Sequence, residues 1–186
     1  MKLFFPALLA LVLSLFSACS PSSKYKAEIA QIDSCLTMLD SLEEVFNGIE
    51  FDSLTLMVNH VKANEDSIHK YYYPDTLSRE IGMRMTECKG IRKQLQNREV
   101  QKETFTNEFP ATRKQLNNLK SDITNGVLSE EKVKQYVEVE VNAFNDLNLA
   151  FTNFYEMQEL QKLFYYSAVP VIDALIEQIK NEPKEE

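Results

Sequence analysis

Apolar residues in this chain recur at spacings of three and four over most of its length, which is the period of an amphipathic helix. Ile29, Ile32, Leu36, Leu39, Leu42 and Phe46 trace one face of a helix of five turns or more. Asn47-Gly48 ends it, because glycine takes the left-handed conformation without a Cβ clash. Asp33-Ser34 and Asp40-Ser41 repeat one heptad apart behind Ile32 and Leu39, a coiled-coil touch too brief for a long filament. A second helix is predicted from about Ser53 to Tyr72, burying Leu54, Met57 or Val58, Val61, Ile68 and Tyr71 or Tyr72, with Pro74 as its stop. Asp75 or Thr76 can cap a third, carrying Leu77, Ile81, Met85, Cys88, Ile91 and Leu95 to about Arg98. The periodicity fades from Arg98 to Asn107, which predicts a loop. A shorter helix then starts near Pro110, buries Leu116, Leu119 and Ile123, and closes at Asn125-Gly126.

The longest element opens at Ser129, a good N-cap, with Glu130 and Glu131 where the helix dipole favours negative charge. Its stripe is Val133, Val137, Val141 or Glu140, Phe144, Leu147, Phe151, Phe154, Met157 or Gln158, then Leu160 through Phe164. Unbroken to Tyr166, it would measure about 57 Å at ~1.5 Å per residue. Val137-Glu-Val-Glu-Val141 alternates as a strand would, but it lies inside the helical stripe and has no partner run. Pro170 kinks or restarts the chain before a last helix on Val171, Leu175, Ile176 and Ile179, and the tail at 182–186 is polar enough to fray. The pattern predicts an all-α fold, an up-and-down helical bundle of five to six helices with one long helix. It occupies residues 25–181 as a single domain behind a short polar tether at 19–24. No helical-repeat signature appears, and the chain has no Trp.

Composition agrees with helices: four glycines and six prolines in 186 residues leave little for the tight turns of an all-β domain. The net charge of −8 becomes −9 if Lys2 leaves with an N-terminal leader, so phosphate backbones are repelled and no nucleic acid partner is expected. The densest basic stretch, Lys89, Arg92, Lys93 and Arg98, sits among Glu87 and Glu99 and reads as a solvated helix face.

The first 18 residues have the three regions of a secretory signal: Lys2, an apolar stretch from Leu3 to Phe16, and the small residues Ser17 and Ala18 before Cys19. As a membrane span the apolar stretch would reach roughly 21 Å against a hydrocarbon core of ~30 Å, too short to cross comfortably. Phe16-Ser17-Ala18-Cys19 resembles the lipobox of bacterial lipoproteins, although Phe16 stands where that family prefers Leu, Val or Ile. The resemblance implies cleavage before Cys19, lipidation of its thiol with palmitate-like chains, and acylation of the new N-terminus. A plain cleaved secretory signal is the alternative. In that family an acidic residue directly after the cysteine marks inner-membrane retention, and some members carry an acidic run just after it that resembles a surface-export tag. Ser20 to Lys26 (SPSSKYK) has neither, which implies the outer membrane, lipid-anchored, with the periplasmic face favoured over the cell surface. The remaining chain resembles small helical envelope lipoproteins as a broad group, and this resemblance transfers no functional residues.

The other thiols, Cys35 and Cys88, lie on or beside apolar stripes, and an exported chain meets an oxidising compartment. With helices running up, down and up, the two miss each other by roughly four residues, or ~6 Å along the axis, so a disulfide and two buried free thiols both stay open. No metal site is expected: a carboxylate-bridged metal centre in a bundle needs Glu-x-x-His on two helices, and only Glu65, four residues before His69, faces a histidine at all. His60 has no such partner. No Gly-x-Ser-x-Gly elbow, nucleotide loop or cofactor motif occurs, and no enzyme activity is expected. Tyr71-Tyr72-Tyr73 and Phe164-Tyr165-Tyr166 each end a helical run, and three adjacent tyrosines cannot all face inward at ~100° per residue. They either cover core ends or form a partner surface. Two readings follow: an anchored, non-catalytic scaffold that docks another envelope protein, or a binding module with an apolar or glycan ligand between helices. An exposed apolar strip on the long helix would favour the first, and a pocket lined by the Phe144 to Phe164 stripe the second.

Overall fold

The computed structural model describes residues 21–72 and 77–181, and every regular element among them is a helix. A single turn at Pro21–Lys24 precedes α1 (Lys26–Asn47), α2 (Phe51–Tyr71), α3 (Arg79–Leu95), α4 (Arg98–Thr124) and α5 (Glu130–Asn181). The leader at 1–18, Cys19, the segment from Tyr73 to Thr76 and the tail at 182–186 fall outside the described residues.

Several expectations are corrected. The stretch read as a polar tether is helical from Pro21 to Lys24, because proline suits a first turn and Tyr25 behind it is buried. The cap of α3 is Ser78, whose Oγ accepts from the Ile81 N–H at 3.3 Å, so the helix begins later than a cap at Asp75 or Thr76 would place it. The loop expected at Arg98 to Asn107 is helix, and α4 runs through Pro110 to Thr124. What holds it is packing that a fading periodicity concealed: Phe105 and Phe109 are buried, and Arg98 is buried at its start. The Arg98 guanidinium donates from Nε to Thr55 Oγ1 at 2.9 Å and from Nη1 to the Leu95 carbonyl at 3.0 Å, so it braces the turn out of α3 rather than joining a solvated face.

The separate last helix after Pro170 is likewise absent, because α5 is continuous from Glu130 to Asn181. Both internal prolines are exposed, as are Thr106 and Tyr166, whose carbonyls lose the donor four residues on; water can take that place. Chain reversals differ in the same way. Asn125-Gly126 closes α4 as expected, with Gly126 at φ 66°, its N–H on the Ile123 carbonyl and the Val127 N–H on the Asp122 carbonyl, a Schellman cap. Gly48 has no positive φ, and α1 instead leaves through short turns that bury Ile49.

The described residues fall into two compact units. The first takes the chain as far as Glu44 together with Glu108–Asn148. Its core is Ile32, Cys35 and Leu39 from α1, Phe109, Leu116, Leu119 and Ile123 from α4, and Val133, Val137 and Phe144 from α5. Ion pairs edge this core: Arg113 bridges Asp40 at 2.6 Å and Glu43 at 2.9 Å, Lys120 pairs with Asp33, and Lys24 reaches Glu130 at 2.8 Å. The second unit takes Val45–Asn107 and the described part of α5 from Leu149. Phe51, Phe105, Phe151 and Phe154 are buried there, and Phe46 joins them with ring centroids 5.8 to 6.2 Å from three of the four. Phe105 packs 5.1 Å from Phe154 and 5.2 Å from Phe151, separations at which aromatic pairs attract beyond their buried area.

Candidate functional site

The register of α5 within the second unit decides what that unit presents. From Phe151 the buried positions run Phe154, Gln158, Gln161, Ala168, Ile172 and Ile176, with Val169 beside Ala168, in steps of three or four once half-buried Tyr165 is counted. Two glutamines therefore occupy core positions, Gln158 only 2% exposed and Gln161 4%. Gln158 finds no hydrogen-bond partner for either amide atom, and Gln161 finds none for Oε1, though its Nε2 lies 3.5 Å from the Met157 sulfur. The same register turns hydrophobic residues outward. Met157, Leu160, Leu163 and Tyr166 are 38, 42, 67 and 66% exposed. The expected stripe is corrected at Leu160 and Leu163, which face water, whereas Gln158, the alternative to Met157, and Gln161 within the run face the core. The signal was present in the spacing from Phe151 and Phe154, and residue type masked it.

Spaced by three, Met157, Leu160, Leu163 and Tyr166 form one oblique ridge of the kind that packs into the groove of another helix. Tyr165, next in sequence to Tyr166 and ring-to-ring with it at 5.5 Å, is turned inward. Its hydroxyl is 2.8 Å from His60 Nδ1, His60 Nε2 is 3.1 Å from Asp173 Oδ1, and Asn64 Nδ2 donates to that same oxygen at 2.6 Å. This chain of polar groups ties α2 to α5. Burial, then the nearby Asp173 and Tyr166, push the Tyr165 phenol above its ordinary value.

The remaining sequence candidates divide. Tyr71 is exposed, with Lys70 Nζ 4.9 Å from its ring centroid, Tyr72 is half-buried, and Tyr73 lies outside the described residues. Glu65 pairs with Arg92 at 2.7 Å, while His69 is exposed. Cys35 and Cys88 are free and buried, one in each unit. Burial raises the Cys35 thiol, and burial followed by Glu65, Glu87 and Asp173 pushes Cys88 up to about 11, so both are held as neutral thiols. Cys88 floors a cleft of about 420 Å³ that also takes in Ile68, Leu77, Met85 and Arg92. Leu77 leans over Gly82, where a Cβ would stand 3.3 Å from its Cδ2.

In the first unit a groove of about 560 Å³ separates α1 from α5. Cys35, Val137 and Phe144 form its buried floor, with Ala27, Met38 and Val141 along its walls and Glu28, Lys134 and Glu138 at the rim. Among the described residues no three His, Cys, Asp or Glu side chains are grouped to hold a metal ion, and no helix is long and apolar enough to cross a membrane. Compared with known proteins, the chain matches no family model, no curated protein and no solved structure.

Proposed function

We propose that this protein is a lipid-anchored, non-catalytic envelope protein whose helical domain docks another envelope protein. Cys19 carries the anchor in this reading, on the outer membrane and facing the periplasm, and two or more acyl chains hold it there stably. The observation that carries the docking role is the exposed ridge of Met157, Leu160, Leu163 and Tyr166 on α5. A helix that keeps two amides in its core while showing two leucines to water presents an apolar surface for which its own unit has no use, and exposed apolar ridges mark protein contacts. The partner fitting such a ridge presents a helix of its own, with a groove between its side-chain rows.

Crosslinking in the intact envelope, followed by mass spectrometry, tests this. Leu160→Glu with Leu163→Glu should abolish a crosslinked partner while changing stability by no more than about 0.5 kcal/mol, as exposed substitutions do. A crosslinked partner retained by the doubly substituted protein would overturn the ridge as the docking site. The groove of the first unit supports the alternative, a module holding an apolar or glycan ligand between helices, although Phe144 is the one aromatic of the expected stripe that lines it.

A further inference from the structure

The groove between α1 and α5 opens where the described chain begins. Ala27, in the first turn of α1, lines one end of it, and Met38, three turns on, lines the other, a run of roughly 16 Å at ~1.5 Å per residue. The turn Pro21–Lys24 leads into that end, fixed by the buried Tyr25 ring and by Lys24 Nζ on Glu130 Oε2 at 2.8 Å. Cys19 is two residues before Pro21 and eight before Ala27. Ser20 alone stands between that cysteine and the turn, so a group on its thiol is tied to the chain within a few residues of the trough.

The geometry points to one of the acyl chains on Cys19 as the occupant of this groove. It rests on the acylation proposed above, and goes beyond it by giving one chain a protein site while the others keep the membrane. The floor of Cys35, Val137 and Phe144 offers no partner for a peptide amide, and the neutral polar side chains that line the groove, Gln31, Ser34, Asn142 and Asn145, stand exposed on its walls, so an occupant lying on the floor must carry no amides of its own. A saturated chain has no such groups. The rim residues Glu28, Lys134 and Glu138 stay in water on either side of a narrow apolar cargo and would crowd a second protein surface. Two chains left in the bilayer still anchor the protein, because one alone holds only marginally and two hold stably. A chain that exchanges between trough and bilayer would shield part of the lipid whenever the protein stands in water.

The test feeds cells a palmitate analogue carrying a terminal photoreactive diazirine, illuminates the intact envelope, and maps the photoproducts on the full-length protein by mass spectrometry. Photoproducts are expected between Ala27 and Met38 or between Lys134 and Asn145, and they should disappear in Ser34→Trp and in Asn142→Trp, which fill the groove from exposed wall positions. Both variants are checked by thermal melting, and either one that folds suffices. An acylated Cys19 whose chain labels membrane lipid alone overturns the inference and leaves the anchor standing. An N-terminal peptide without lipid overturns both. A free fatty acid found in the groove while the attached chains label lipid also overturns it, in favour of the binding-module alternative.

Discussion

In the first unit Phe144, Leu116 and Ile123 are shut from water, and Arg113, Lys120 and Lys24 pair with carboxylates around them; apart from Thr112, its buried described side chains are apolar. In the second unit Asn64, Arg98, Gln158 and Gln161 are buried alongside Phe151 and Phe154. Arg98 and Asn64 have partners at 2.9 and 2.6 Å, whereas three amide atoms of the two glutamines have none. The difference shows what a long helix cannot do. Its register is set by the majority of its contacts, and Phe151, Phe154, Ala168, Ile172 and Ile176 outvote Leu160 and Leu163. Shifting the phase for three turns and back would require breaks in the ladder of backbone hydrogen bonds, so the amides are carried inward and the leucines outward.

The largest effects should come from the aromatic anchors of each unit. Phe144→Ala in the first and Phe151→Ala in the second should each cost about 3–5 kcal/mol, read as a shift in the denaturant midpoint. A loss near 1 kcal/mol in either would mean that its core collapses around the gap. The sharpest contrast follows from the amides. Gln158→Met should raise stability by about 1–3 kcal/mol, because it removes a buried amide with no partner, while Leu116→Gln in the first unit should destabilise. A destabilised Gln158→Met would show that the amide has a partner and would erase the contrast.

Alkaline pH acts next and weighs most on the second unit, since burial raises both thiols but pushes Cys88 up to about 11. Below pH 9 both the folded and unfolded protein keep the Cys88 proton. Between 9 and about 11 the unfolded chain releases it first, so stability should fall across that window and the fall should shrink in Cys88→Ala. The smallest effect belongs to the edge of the first unit: Arg113→Ala, which removes two half-exposed ion pairs, should cost about 1 kcal/mol in thermal melting, and less at high salt.

Much of the helical framework was legible in the chain. The spacing of Ile32 and Leu39, of Leu54, Val58 and Val61, and of Leu116, Leu119 and Ile123 names residues that are buried, since each stripe obeys the helical period with apolar side chains throughout. Ser129 and Gly126 mark boundaries because capping chemistry is local. Legibility failed where a tertiary contact overrode a local rule. Arg98 looks like a surface cation until Thr55 and the Leu95 carbonyl receive it. Pro110 and Pro170 look like breaks until their exposed faces let water take the freed carbonyls. The ridge at Met157 to Tyr166 was concealed by its own hydrophobicity, which reads as core when the neighbouring register is unknown.

By itself, then, the sequence determined the helical class, the caps at Gly126 and Ser129, the places of most stripes, and an N-terminal segment resembling a lipoprotein signal, because periodicity, capping and leader composition act over a few residues. Only the tertiary structure decided that α5 continues through Pro170, that glutamines fill two core positions, that His60 meets Tyr165 and Asp173, and that a trough opens beside the start of α1. These depend on which distant side chains share a core, and helical phase propagates that choice along many turns at once.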